Sequence, residues 1–250
     1  MTMIKTWICA GSLLALFTAA APAADLAAPA APLPPPEPEP THWFVRLGAL
    51  AVVNNSSSRL FTQPVYNGFG IGPQIYQPGR GESVSNLYTL SVQAGYFFTP
   101  NWSIEVMSGF PVWQTTKITG FSPLGPPGGT VLSKSMPASV PITVAYHLTQ
   151  LGAFQPYLGV GLAPIFSIAQ RDGFVTNPVT DPSIALVLQG GADFMINRNW
   201  GVFFDVKTYF DRSVGTSSGL NTALGAVHTN STALTDARPW LFTSGVTYRF

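Results

Sequence analysis

The sequence predicts an all-β protein, an eight-stranded antiparallel up-and-down transmembrane β-barrel. Three observations carry that expectation. Only 9% of the 250 residues are charged while 46% are apolar, against roughly 25% charged in an average soluble domain. Beyond the N-terminus, no stretch supplies the roughly 18–20 consecutive apolar residues that a membrane helix needs. From His42 onward the recurring pattern is period-two alternation over about a dozen residues, which is the signature of strands. The net charge of +1 provides no basic face for nucleic acid.

The N-terminus reads as a secretory signal peptide over residues 1–23. Met1–Lys5 is a short basic start, Thr6–Ala20 is largely apolar, and Ala21-Pro22-Ala23 offers small residues in an A-x-A pattern. The sole cysteine, Cys9, falls inside it, so the chain after cleavage is expected to have no thiol chemistry. Residues 24–41 follow as a proline-rich periplasmic segment that favours extended polyproline conformation. The barrel is expected over residues 42–250.

Eight alternating segments are predicted as its strands: Trp43–Val53, Leu87–Phe98, Trp102–Thr115, Ser135–Leu148, Gln155–Ile168, Ser183–Ile196, Trp200–Phe210 and Pro239–Phe250. Their connections alternate in length. Thr99–Asn101, Thr149–Phe154 and Asn197–Asn199 are short; Asn54–Asn86, Thr116–Lys134, Ala169–Pro182 and Asp211–Arg238 are long and read as loops. Short turns at one end and long loops at the other are the pattern of outer-membrane barrels, with the long loops outside the cell. The expected location is therefore the outer membrane of a Gram-negative cell, in contact with lipid and lipopolysaccharide.

The alternation also has a direction. Trp240, Phe242, Val246, Tyr248 and Phe250 share one face of the last strand, and Leu241, Thr243, Gly245, Thr247 and Arg249 share the other. The apolar, aromatic-tipped face suits lipid, and the face with ions and glycines suits a narrow lumen. Strands in lipid must pair completely, so the sheet has to close on itself. Near the short turns the inward face carries Arg46, Gln93, Glu105, His147, Asp193, Asp205, Lys207 and Arg249. Such charges must pair into a network, because an unpaired buried charge is costly. Nearer the long loops the inward residues are Leu50, Met107, Pro111, Pro141, Ile165, Val187, Tyr209 and Leu241, a lining suited to an apolar solute. Pro111 and Pro141 face each other across adjacent strands, and proline has no N–H to give a ladder. That seam is expected to be weak and to allow lateral release.

No cofactor, metal or catalytic signature is present. His42, His147 and His228 are scattered and have no cysteine beside them. No GxSxG, P-loop or dinucleotide fingerprint occurs, and the chain is not expected to be an enzyme.

Six pieces of the sequence resemble the OmpW family: WFVRLGALAV, GYFFTPNWSIEV, MPASVPITVAYHL, FQPYLGVGL, GGADFMINRNWGVFFDVKTYF and PWLFTSGVTYRF. The resemblance implies an eight-stranded barrel with a mostly hydrophobic channel for small apolar molecules. It also implies that Tyr248 and Phe250, in the terminal Y-R-F, are read by the barrel-assembly machinery. The expected function is passive uptake of small hydrophobic molecules through an apolar upper lumen above a charged periplasmic plug. The alternative is a structural or surface-interaction barrel, for adhesion or as a phage or toxin receptor, without transport.

Overall fold

A computed structural model describes residues 42–120, 126–222 and 225–250. The expected signal peptide and proline-rich segment lie outside the described residues. Eight strands form a closed wall: β1 (Trp43–Val53), β2 (Leu87–Phe97), β3 (Trp102–Gly109), β4 (Ile142–His147), β5 (Phe154–Asp172), β6 (Ser183–Met195), β7 (Trp200–Thr222) and β8 (Trp240–Arg249). Each pairs antiparallel with the next. β8 returns to β1 in the register Phe44↔Arg249 to Val53↔Trp240. The closing bonds run from the Trp43 N–H to the Phe250 carbonyl at 3.1 Å and back at 2.9 Å. That pairing leaves neither terminal strand with a free edge.

The alternation places side chains as the sequence predicts. On β8, Leu241, Thr243, Thr247 and Arg249 are buried, while Trp240, Phe242, Val246, Tyr248 and Phe250 are exposed. β7 repeats this, with Gly201, Phe203, Asp205, Lys207 and Tyr209 buried and Trp200, Val202, Phe204 and Phe210 exposed. Aromatic pairs ring the short-turn end, with Trp43–Tyr96 at 4.8 Å, Trp102–Tyr146 at 5.0 Å and Trp200–Tyr248 at 4.7 Å between centroids. They are the girdle of an interfacial belt. Tyr248 and Phe250 both face outward, stacked at 5.9 Å. The short turns are held by polar side chains: Thr99 Oγ1 accepts from the Trp102 N–H at 2.9 Å, and Asn197 Oδ1 from the Trp200 N–H at 2.8 Å.

One sequence expectation is corrected. The four long connections are largely β-structure that carries the wall upward. β7 runs 23 residues, about twice what a tilted strand needs to cross a membrane. Its upper half pairs with Gly225–Ala237, which pairs in turn with Ser56–Thr62. Gly81–Val84 pairs with Gln114–Thr119, that ribbon with Val131–Ser139, and the last with the upper part of β5. These ribbons are rich in Ser, Thr and Gly, with few large apolar residues. Neither face meets lipid, so apolar contrast is weak and the period-two signal fades.

Within the eight-stranded wall, the ladder between β3 and β4 breaks off early. β3 and β4 pair from Tyr146↔Trp102 to Ile142↔Val106, with a last bond from the Met107 N–H to the Pro141 carbonyl at 3.1 Å. Pairing resumes only at Ser135↔Gln114. Between those rungs, Ser108–Trp113 and Met136–Val140 have no backbone bond to each other among the described residues. Pro111, Pro137 and Pro141 fall at or within the gap, where each lacks the N–H a ladder needs. A bulge at Met136/Pro137 adds to the break.

Candidate functional site

The lumen divides into three layers, counted from the short turns. The lowest contains the charged residues singled out in the sequence, and they meet. Arg46 on β1 donates from Nη2 to both oxygens of Asp193 on β6, at 2.9 and 2.8 Å, and its Nη1 lies 3.5 Å from each Glu105 oxygen on β3. Arg249 on β8 donates to Asp193 Oδ2 at 2.9 Å. Lys207 donates to Asp205. His147 Nε2 is 3.2 Å from Glu105 Oε1 and 3.0 Å from Ser103 Oγ. With His147 neutral, Arg46, Lys207 and Arg249 balance Glu105, Asp193 and Asp205.

Further partners complete this layer. Gln189 donates to Glu105 Oε2 and to Asp205 Oδ2, both at 2.7 Å, and accepts from Thr143 at 2.6 Å. Gln93 donates to Glu105 Oε2 at 2.5 Å, and the Tyr157 hydroxyl to Asp205 at 3.0 Å. Aromatic rings enclose the guanidinium: Arg46 Cζ is 4.4 Å from the Phe44 ring centroid, 4.9 Å from Tyr157 and 5.3 Å from Phe203. Two glycines seat these rings. A Cβ on Gly95 would clash with the Phe44 ring, and one on Gly191 would stand 2.6 Å from Tyr157 Cζ. Inward parity on β5 and β7 marks Tyr157 and Phe203; the hydrogen-bond roles of Gln189 and Thr143 have no signal in one sequence.

The second layer is apolar. Leu50, Met107, Val187, Tyr209 and Leu241 pack together with Ala163 and Ala185, and Val52 and Ile165 lie against them. Pro141 is buried beside this level, whereas Pro111 is exposed at the break in the wall. Of the residues expected to line an apolar lumen, Pro111 alone is turned away from it.

Above lies a cavity of about 1030 Å³, bounded below by Leu50, Met107, Ile165, Tyr209 and Leu241 and above by the ribbons. None of the charged residues of the lowest layer borders it. It reaches both sides of the interrupted seam, touching Gly109, Phe110 and Gln114 on one edge and Pro137, Ala138 and Ser139 on the other. Its ionisable lining is Arg80, Glu82, Asp181 and Asp211. Burial pushes the Glu82 carboxyl up to about 7. Among the described residues no group of His, Cys, Asp and Glu is arranged to hold a metal.

Comparison with known proteins agrees with this geometry. The OmpW family profile matches residues 64–250. The outer-membrane protein y4mB of Sinorhizobium fredii is 31% identical over 213 residues, covering 83% of this chain and 80% of its own. PahQ, a dibenzothiophene metabolism operon protein of Pseudomonas aeruginosa, is 27% identical over 172 residues, 69% of this chain and 74% of that one. Among solved structures, the outer-membrane protein OprG of Pseudomonas aeruginosa superposes with a TM-score of 0.69 at 19% identity, over 84% of this chain and 96% of its own. AlkL gives 0.58 at 20% identity, over 88% and 95%; at such identities the likeness is one of fold. The protein resides in the outer membrane as an eight-stranded barrel, and it belongs to the OmpW family.

Proposed function

We propose that this barrel is a passive channel by which small hydrophobic molecules enter the outer membrane. The observation that carries this reading is the cavity of about 1030 Å³, which rests on an apolar floor and reaches both edges of an unpaired seam. That volume is at the upper end of ordinary small-molecule sites. A lumen filled with side chains throughout would favour a purely structural or surface-interaction barrel; an open upper lumen favours transport. The dibenzothiophene operon that names PahQ supports an apolar solute.

The lowest layer acts as a plug. Its ions are paired, and all but the partly exposed Arg249 are fully buried; an eight-stranded barrel is too narrow to hold both such a network and a water pore. A solute that enters from outside then leaves sideways, through the seam between β3 and β4, into the apolar interior of the membrane. Pro141 stands opposite Met107 and not, as the sequence suggests, opposite Pro111; each proline still withholds a ladder donor, and together they keep the seam open. His147 and Ser103, although in contact, share a buried layer that the cavity does not touch, so their pairing serves packing. Tyr248 and Phe250, outward on the closing strand, are the residues offered to the assembly machinery.

The test restores the donors. Pro111→Ala combined with Pro141→Ala is expected to slow uptake of an apolar solute several-fold in cells that depend on this protein, with the folded fraction unchanged. Unchanged uptake by a fully folded double variant would count against lateral release.

A further inference from the structure

The upper cavity is not uniformly apolar, and its polar atoms are unbalanced. Four oxygens in its lining are shielded from solvent and have no hydrogen-bond partner: Gln170 Oε1, Ser183 Oγ, Asp211 Oδ1 and Ser231 Oγ. One lining nitrogen shares that condition, Arg80 Nε, and the same guanidinium donates from Nη2 to the Pro126 carbonyl at 2.9 Å. A shielded polar atom without a partner is destabilising. Gln170 Oε1 and Asp211 Oδ1 can only accept, so the lining has two acceptors without a donor, while the two serine hydroxyls can accept or donate.

Asp211 is the one charged acceptor among these atoms. It stands two residues beyond Tyr209 on β7, so it shares the inward face one layer higher, about 7 Å up the strand. Tyr209 belongs to the apolar floor. A solute lying on that floor thus brings one end to Asp211. No cation pairs with this carboxylate among the described residues. The cations of the upper wall point away: Arg59, Lys117, Lys134, Arg171, Arg212 and Arg238 are all exposed, and Arg212 pairs with Asp236 on the outside at 2.8 Å. The cavity is lined by Asp211 and Glu82, with the exposed Asp181 at its border and Arg80 as its one cation.

We propose that the cavity selects solutes by head group: it takes an apolar body that ends in a hydrogen-bond donor, an amine above all, and rejects the carboxylate of the same body, with Asp211 as the residue that distinguishes them. This rests on the reading of the cavity as the solute path and adds the class of solute. Gln170 and Ser183, on β5 and β6, receive donors of a neutral head such as a hydroxyl.

The experiment uses four probes with one ring: toluene, benzyl alcohol, benzylamine and benzoate. Binding of each is measured by calorimetric titration at neutral pH and low salt, with the full barrel in lipid nanodiscs and empty nanodiscs as the blank. The expected order is benzylamine, benzyl alcohol, toluene, benzoate, with at least tenfold between benzylamine and benzoate. Asp211→Asn is expected to narrow that ratio to threefold or less, and Gln170→Met to weaken benzyl alcohol relative to toluene. Benzylamine and benzoate binding within threefold of each other in the unsubstituted protein, with toluene still bound, overturns head-group selection and leaves the channel reading standing. Failure of toluene to bind overturns the channel reading itself. An unchanged ratio in folded Asp211→Asn removes Asp211 from the role.

Discussion

Replacing Arg46 with leucine is expected to lower the unfolding free energy by about 3–5 kcal/mol, because it strands buried carboxylates without a counter-charge. Arg46 is the hub of the lowest layer. It holds Asp193 through two bonds from one nitrogen and reaches Glu105 with the other. It is 1% exposed, and Glu105 and Asp193 are 1% and 0% exposed, so water cannot stand in for it. Arg249 still reaches Asp193, which places the loss at the lower end of that range if Arg249 takes over. Urea unfolding in phospholipid vesicles measures the change. Asp193→Asn added to Arg46→Leu is expected to return part of the loss, since it removes the stranded charge as well. A single variant within about 0.5 kcal/mol of the starting protein, the scatter of ordinary surface changes, would show that the layer is hydrated and not a sealed network.

The second large effect is expected on the outer face. Phe204, in the middle of the membrane-crossing part of β7, is half-exposed in the closed wall and pairs across to Ser244. Phe204→Arg puts a guanidinium against hydrocarbon and is expected to cost about 2–4 kcal/mol, the range for a cation near the bilayer midplane. The same substitution at Ser83, exposed on an upper ribbon, is expected to cost no more than about 0.5 kcal/mol. Equal costs at the two sites would mean that Phe204 does not face lipid.

The wall was legible because lipid on one side and ions on the other impose strict alternation. β1 starts and ends where the pattern does, at Trp43 and Val53, and β8 sorts its faces residue by residue. The upper ribbons were not legible for the opposite reason. Between Asp211 and Arg238, both faces tolerate Ser, Thr and Gly, so the pattern that marks a strand in lipid has nothing to act on. Placing Pro111 in the lumen failed for a related reason. Parity counted from Trp102 holds only while pairing is regular, and the chain leaves the ladder after Gly109. The same proline lies in the unpaired stretch between β3 and β4. Of the lowest layer, the charges were visible from parity alone, but which cation meets which anion depends on the curvature of the closed barrel, and no linear spacing encodes that.

The most direct measurement places a probe on each face of β8. Val246→Cys and Thr243→Cys are labelled separately in proteoliposomes, using a fluorophore and an aqueous maleimide. Val246→Cys is expected to carry a fluorophore that brominated lipid chains quench strongly and aqueous iodide does not. Thr243→Cys is expected to resist the maleimide until the barrel is unfolded. The contrary result is a Val246 probe reached by iodide and untouched by brominated chains, together with rapid labelling at position 243.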